Sequence, residues 1–555
     1  MQSPRWSRLL GSDALLRFSL IAVIAAYAQT VNFGFVYDDF GLITANPWLQ
    51  SWSGLKLIFT QHSSAYLDTA MPARHYRPMY LAWLWTVQHL LGSAPGWFHV
   101  AAVLTHIAAV GLAYQFARML LQDASAAAMA ALIFAVHPTK VESVAWIAGA
   151  AEPLQAVFVF ATLIAYIHAR NRPRRQWPWL AAAAACFAAA LLTKETSVVV
   201  PAIVIAYEVI FPRSHQQNPG WRRVLLCLAP LFFVVAAFVV VRTAVLHGFG
   251  DTAVPRSLQH VLLNAPLAFW LLVRQMVRPY GLSAFYPLVN IARFSTAYVL
   301  LPGVALAIAA LLYWRWTREL PVLKFAAVWF LLTLLPVIGE FSWVQLHDRH
   351  LYLPSFGIAL MLAVLLQRAA GWAHCRSEHA PAIAALVVAA VLAGISAREA
   401  RFWDSDLDVC ERAVAVAPAN PDALSLLADT YDAAGAPDKA AATLQSALQY
   451  YPRSAKFNFA LAHHYYTLRR YDDARPYLER VLAIGGDNDT RSTALYELAV
   501  LEQTEGKRDA AEQHLREAIR LAPHIAGYQR ALATLLRAPT SATESPAMRS
   551  PDPKP

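Results

Sequence analysis

Charge is scarce in this chain: Asp, Glu, Lys and Arg make up 15% of its 555 residues, while 57% are hydrophobic. That balance, with a mean hydropathy of +0.39, excludes an ordinary soluble protein, in which about a quarter of residues are charged. Cysteine is scarcer still. Cys186, Cys227, Cys375 and Cys410 lie far apart, the first two inside apolar runs, so neither a disulfide framework nor a zinc site is suggested. No basic stretch is interleaved with aromatics as a nucleic-acid groove requires. The net charge of +10 is therefore assigned to cytoplasmic loops, and nucleic acid is not expected as a partner. The middles of the apolar runs are nearly free of acids and bases, which argues against a transporter or flippase. A cleavable leader is not suggested either. The run behind Arg5, Arg8 and Arg17 continues to Phe35 without a small-residue cleavage site and reads as an anchoring span.

What is present is a series of runs long enough to cross a bilayer, for which about 20 apolar residues suffice. Candidate spans are 14–34, 97–121, 124–136 with its flanks, 152–170, 178–193, 196–212, 223–246, 296–314, 321–339, 352–370 and 380–397. That makes about eleven helices of an all-α, polytopic membrane protein. The segment 257–278 is apolar enough to span but breaks the parity, so it is assigned as interfacial or re-entrant. The stretch 79–92 is too short to span comfortably. Basic clusters at Arg170 to Arg175, at Arg213, Arg222 and Arg223, and at Arg315, Arg318 and Lys324 place those loops and the N-terminus in the cytoplasm by the positive-inside rule. Counting crossings then puts Asp38-Asp39, residues 137–151, Lys194-Glu195, residues 340–352 and the C-terminal part outside.

Carboxylates are costly to desolvate, so Asp38 and Asp39 at the end of the first span need a reason for being there. Other charged groups recur at helix ends on the same side: Arg77, Lys140, Glu142, Lys194, Glu195 and Arg349. Each has a bland reading. Adjacent aspartates cap turns, Arg77 before Pro78 can anchor a helix at the headgroups, and Lys194-Glu195 can be a self-neutralising pair. His62, His89, His99 and His106 are expected to be packing residues. No ligand spacing demands a metal, although a divalent cation bridging the carboxylates is compatible with the pattern.

Beyond Arg398 the pattern turns amphipathic. Pro418, Pro452, Gly486 and Pro523 recur at intervals of 34, 34 and 37 residues. Leu424, Leu427, Ala428, Tyr431, Gly435, Ala440, Leu444 and Ala447 occupy tetratricopeptide positions in the first unit. Leu461, Ala462, Tyr465, Ala474 and Leu478 repeat them, as do Leu495, Leu498, Ala499, Gly506, Ala511, Leu515 and Ala518. The expected organisation is a transmembrane domain over 1–400, a half-repeat plus three repeats over 401–537, and a disordered Pro/Ser/Thr-rich tail over 538–555.

In order along the chain come Tyr37-Asp38-Asp39-Phe40, His75-Tyr76-Arg77-Pro78, and the stretch from His137-Pro138-Thr139-Lys140 through Glu142 to Trp146. Thr193-Lys194-Glu195-Thr196, Asp348-Arg349-His350-Leu351-Tyr352 and the repeats follow. This order resembles the transmembrane and tetratricopeptide-repeat O-mannosyltransferases (TMTC type), a group of polyprenol-phosphate-dependent glycosyltransferases with the GT-C fold. The resemblance covers roughly 14–537. It departs after Trp146, where the family often carries an arginine behind the glycine and this chain has Gly149-Ala150.

The resemblance implies inverting transfer of a sugar, mannose in the family it resembles, from a polyprenol-phosphate carrier to an acceptor outside the cytoplasmic membrane. The lipid-phosphate sugar is the donor substrate, and no fixed cofactor is implied. Either Asp38 or Asp39 supplies the base. Arg77, Lys140, Lys194, Arg349 and Tyr352 are candidates for gripping the donor phosphate. His75, Tyr76, His137, Glu142 and Glu195 are candidates for supporting roles. The acceptor is expected to be a protein or peptide at the repeats, and membrane lipid is a further partner. Composition points to a bacterial inner membrane with the repeats in the periplasm. The alternative is a non-catalytic, membrane-anchored repeat scaffold that recruits envelope proteins; it explains the repeats but not the one-sided charges.

Overall fold

The computed structural model describes residues 11–66, 75–212, 220–248, 258–287, 291, 293–338, 346–372 and 379–537. The expected disordered tail, residues 340–345 of the expected 340–352 loop, Arg213 and Cys375 lie outside the described residues. Among the described residues every regular element is helical. They fall into two compact units, one up to Val416 and one from Ala417.

In the first unit the helices run α1 (Ser12–Tyr27), α2 (Gly54–Thr60), α3 (Pro78–Leu91), α4 (Pro95–Leu121), α5 (Ala124–Val136), α6 (Val141–Ala145), α7 (Ala151–Asn171) and α8 (Gln176–Thr193). They continue as α9 (Val200–Ile210), α10 (Gly220–Leu246), α11 (Leu258–Val277), α12 (Leu301–Trp316), α13 (Pro321–Ile338), α14 (Pro354–Trp372), α15 (Ala380–Ala400) and α16 (Asp406–Val416). Among the described residues eight helices are long and apolar enough to cross a membrane, or nine if a bent pair counts as one span. Eleven spans were expected, and the differences have local causes. The run 321–339 gives an apolar helix of less than full spanning length, as does 352–370. The run 196–212 opens with a 3₁₀ turn over Glu195–Val199, which leaves only the 11-residue α9. Segment 257–278, expected at the interface, is the unbroken 20-residue helix α11 and passes the same test of length and apolarity.

The core is centred on α5, in which every residue from Ala126 to Val136 is buried. A helix apolar all round must be packed all round, and its seven alanines between 124 and 135 let neighbours approach closely. Phe134 near its end sits among Phe116, Phe160, Trp329 and Phe356, whose rings meet edge-on, tilted or stacked at centroid distances of 4.9–6.0 Å. After Val136 the chain extends at His137 and Pro138 supplies no N–H to continue the ladder, so the helix over Pro138–Ala145 leaves at 58° to α5. That bend turns Lys140 and Glu142 back into the protein.

The second unit is three helix pairs and a final helix: α17 (Pro421–Ala433) with α18 (Pro437–Tyr450), α19 (Ala455–Thr467) with α20 (Tyr471–Ile484), α21 (Asn488–Thr504) with α22 (Arg508–Leu521), then α23 (Ala526–Arg537). Leu427, Ala428, Ala440, Leu444 and Ala447 are buried as the repeat requires, as are their counterparts Leu461, Ala462, Ala474, Leu478, Leu498, Ala499, Ala511, Leu515 and Ala518. The turn inside each pair needs a left-handed residue. Gly435 (φ +71°) and Gly506 (φ +77°) fill it without steric cost, whereas Arg469 takes the equivalent place in the middle pair at φ +59°.

Candidate active site

The first span ends in a short 3₁₀ turn, and residues 33–39 cross the end of the bundle. Here the two aspartates part company. Asp39 is fully buried. Its two carboxylate oxygens accept N–H bonds from Val36 (3.2 Å) and Ala148 (2.8 Å). Burial pushes its carboxyl up to about 8, against those two amides and with help from the neighbouring charges of Asp38 and Asp406. Asp38 reaches solvent. The protein walls around it raise its carboxyl above the ordinary range, and the Arg349 guanidinium pulls it back.

The basic residues of the sequence pattern divide in the same way. Arg77 makes a two-pronged pair with Glu195, Nε to Oε2 at 3.0 Å and a terminal nitrogen to Oε1 at 2.7 Å, with His75 Nδ1 at 3.9 Å from Oε1. Burial works to raise the Glu195 carboxyl, but Arg77 and then His75 hold it well below the usual carboxylate range. Arg349 pairs with Glu142 through its guanidinium and donates its backbone N–H to the other oxygen at 2.9 Å. Its guanidinium lies 5.4 Å from the Trp146 ring centroid. Arg77 and Arg349 keep 24% and 26% of their side chains exposed.

Lys140 and Lys194 are buried instead. Lys140 Nζ donates to the Tyr352 carbonyl (3.0 Å) and to Ser355, and sits over the Phe134 and Tyr352 rings. Lys194 is locked to Glu152. Tyr352 is also internal, its hydroxyl 2.5 Å from His106 Nδ1. His137 is held by the Met276 carbonyl at 3.0 Å, and the Tyr76 hydroxyl donates to the Phe59 carbonyl at 3.0 Å. These contacts are those of core residues. Of the set, Asp38 is exposed and His75, Arg77, Glu195 and Arg349 are half-buried.

The pieces nevertheless form one neighbourhood. Tyr80 lies within electrostatic reach of Asp39, Arg77 and Asp38, and His350 within reach of Arg349, Lys194 and Arg77. The site occupies one end of the bundle. Ala148 and Glu152 lie near the start of the 25-residue helical stretch Ile147–Asn171, about 37 Å long at 1.5 Å per residue. Arg170 sits at its far end, bonded to Glu208 and the Phe211 carbonyl. Gly149 fixes the near end: a Cβ there would lie 2.3 Å from the Glu142 carbonyl oxygen. Gly149→Ala is therefore expected to cost about 1–3 kcal/mol by overpacking, seen as a lower thermal midpoint in detergent. A midpoint equal to the parent's would contradict the close approach.

Three participants are given no role by the sequence. Glu152, the partner of Lys194, opens α7 and could have been found by the rule that singled out Asp38, a charge at the edge of an apolar run. Asp348 is buried and accepts the Tyr286 hydroxyl on both oxygens, at 2.9 and 2.8 Å, and nothing in sequence links positions 62 apart. Asp406, whose Oδ1 accepts the Tyr37 N–H at 2.7 Å, has no sequence signal at all. Among the described residues no three His, Cys, Asp or Glu side chains are grouped so as to hold a metal ion.

A separate apolar cavity of about 980 Å³ opens among the membrane helices. Ile205 and Val209 of α9, Phe269 of α11, Leu306 and Tyr313 of α12, and Leu331 of α13 line it. Helix α12 buries only Pro302 among its residues, so this cavity is walled on one side by a helix that the described protein leaves largely uncovered.

Residues 76–243 match the dolichyl-phosphate-mannose-protein mannosyltransferase family, and residues 454–524 match the tetratricopeptide repeat. The human protein O-mannosyl-transferase TMTC2 is 30% identical over 197 residues, 34% of this chain and 23% of the human protein. The Caenorhabditis elegans protein O-mannosyl-transferase F38B6.6 is 24% identical over 408 residues, 72% of this chain and 57% of that protein. Over these stretches the chain is similar to the TMTC O-mannosyl-transferases. The matched part spans about a quarter of the first relatives and little over half of the nematode one. The mannosyltransferase match covers Arg77, Lys140, Glu142, Lys194 and Glu195, while Asp38 and Arg349 lie outside it. Among solved structures, the oligosaccharyltransferase AglB from Archaeoglobus fulgidus overlaps 78% of the chain and 60% of its own length. At 13% identity and a TM-score of 0.41, it is too loose a likeness to argue from.

Proposed function

We propose that the chain is an inverting membrane glycosyltransferase that moves a sugar, mannose by analogy with the relatives, from a polyprenol phosphate to an extracytoplasmic acceptor. The observation that carries the reading is an exposed carboxylate, Asp38, within electrostatic reach of a half-buried arginine, Arg349, that is itself paired with Glu142. Asp38 takes the proton of the acceptor hydroxyl. The freed oxygen attacks the anomeric carbon from the face opposite the phosphate, the carbon–oxygen bond to phosphate breaks, and the electron pair leaves on the lipid phosphate. Arg349 and Arg77 offer forked donors suited to that phosphate. Each is oriented by its own carboxylate, Glu142 and Glu195. A general base supplies a factor of about 10²–10⁴, and no covalent nucleophile is needed.

The apolar cavity supports a lipid donor, since hydrocarbon is what such a lining accepts. The basic residues at the far end of the helices support the site's facing away from the cytoplasm, which in a bacterial host is the periplasmic side of the inner membrane. The repeats then select a protein or peptide acceptor. Purified protein in lipid nanodiscs is expected to transfer label from polyprenol-phosphate mannose and not from a nucleotide-linked mannose. Equal use of the nucleotide donor would sink the reading, and absence of transfer from any lipid donor would favour the scaffold. A chelator arm in the same assay reads metal dependence.

A further inference from the structure

Tyr37 stands next to Asp38 with φ at +53°. An aromatic residue has no short polar side chain to ease the left-handed region, so such a conformation persists only where its surroundings impose it. The surroundings here come from the segment behind the last membrane helix. The Tyr37 N–H donates to Asp406 Oδ1 at 2.7 Å, and the Gly34 N–H donates to the Asp404 carbonyl at 3.3 Å. The Trp146 ring stacks on Trp403 at 5.4 Å and 22°, meets the Tyr37 ring at 5.9 Å, and donates its Nε1–H to the Val36 carbonyl at 3.3 Å. That segment is itself pinned to the bundle. Arg412, on the same helix α16 as Asp406, donates to Glu399 at 2.7 Å and to the Leu282 carbonyl at 3.0 Å.

We infer that Asp406 is a positioning residue for the transfer reaction, holding the Tyr37 amide in its left-handed turn so that the next carboxylate, Asp38, points at the acceptor. The inference rests on the reading of Asp38 as the base. It adds that the geometry of this base is set from 369 positions away in sequence. Asp406 touches no reacting atom in this account; besides adding to the charge that raises the Asp39 carboxyl, it acts through the backbone of Tyr37.

The test combines turnover with amide hydrogen exchange on the full chain in nanodiscs. Asp406→Ala is expected to lower kcat about 10²-fold, the scale of a misplacement of about 1 Å, with KM for the lipid donor little changed. Asp406→Asn keeps a carbonyl acceptor and is expected to retain most of the rate. Glycine takes positive φ without steric cost, so in a Tyr37→Gly background the further loss on Asp406→Ala should shrink several-fold. Parent-like kcat in Asp406→Ala overturns the inference, as does an equal loss in both backgrounds. The exchange arm does not need turnover: the Tyr37 amide should exchange faster in Asp406→Ala than in the parent. If the parent transfers nothing while that amide still loses protection, the enzyme reading fails and the clamp stands. If protection is unchanged, the clamp is wrong whatever the activity.

Discussion

Asp38→Asn is expected to fold like the parent and to lose about 10²–10⁴ of its transfer rate, whereas Asp39→Asn is expected to lose stability first. The carboxylates differ in what they touch. Asp38 is exposed, so an amide there disturbs little besides proton transfer. Asp39 uses both oxygens on backbone N–H groups, and asparagine offers only one oxygen. Its amide nitrogen would face the second N–H, leaving a buried donor unsatisfied at about 1–3 kcal/mol. The pH dependence follows the same logic. The Asp39 carboxyl is raised from 3.8 to about 8 by folding, so its contribution to stability is fully present below the lower value and is lost as pH rises through the upper one. Thermal unfolding of the parent should weaken across that window, and Asp39→Asn should remove this component. A parent-like rate in Asp38→Asn would reject it as the base.

Arg349→Met is expected to be strongly destabilising. Glu142 has 2% of its side chain exposed, while Arg349 has 26%. Removing the arginine strands a buried carboxylate, for which the cost of a broken buried pair is about 3–5 kcal/mol, less here because one partner is partly wet. Glu142→Gln costs less, since the guanidinium can turn to water. The double variant Arg349→Met/Glu142→Gln should recover much of the stability while transfer stays lost, because the phosphate donor is gone. Thermal midpoints and transfer rates of the three variants check this. If transfer returned along with stability, Arg349 would be a structural ion-pair partner and nothing more.

The repeats were legible because their period fixes which residues meet: Leu444 and Ala447 could be placed in a core before any coordinates, and both are buried there. Asp38, Arg77, Lys194 and Arg349 stood out because a charge at the edge of an apolar run has few reasons to be there. Partnership was not legible. Lys140, Lys194 and Arg349 look alike in sequence, yet burial against Ser355 and Glu152 separates the first two from the third. The span count was ambiguous because hydropathy does not see that Glu195–Val199 winds as a 3₁₀ turn, or that Pro138 bends the apolar stretch through α5. The left-handed Tyr37 was invisible, since its cause lies at Asp406.

The most direct measurement is the pH profile of kcat/KM for transfer from polyprenol-phosphate mannose, in the parent, Asp38→Asn and Asp39→Asn. Burial raises the Asp38 carboxyl above 3.8, and a base must be deprotonated to act. The parent rate should therefore rise with pH through an acidic limb whose midpoint lies above 3.8. The residual rate of Asp38→Asn should lack that limb, and Asp39→Asn should keep it. A limb that survives in Asp38→Asn, or vanishes only in Asp39→Asn, would contradict Asp38 as the base of a lipid-dependent glycosyl transfer.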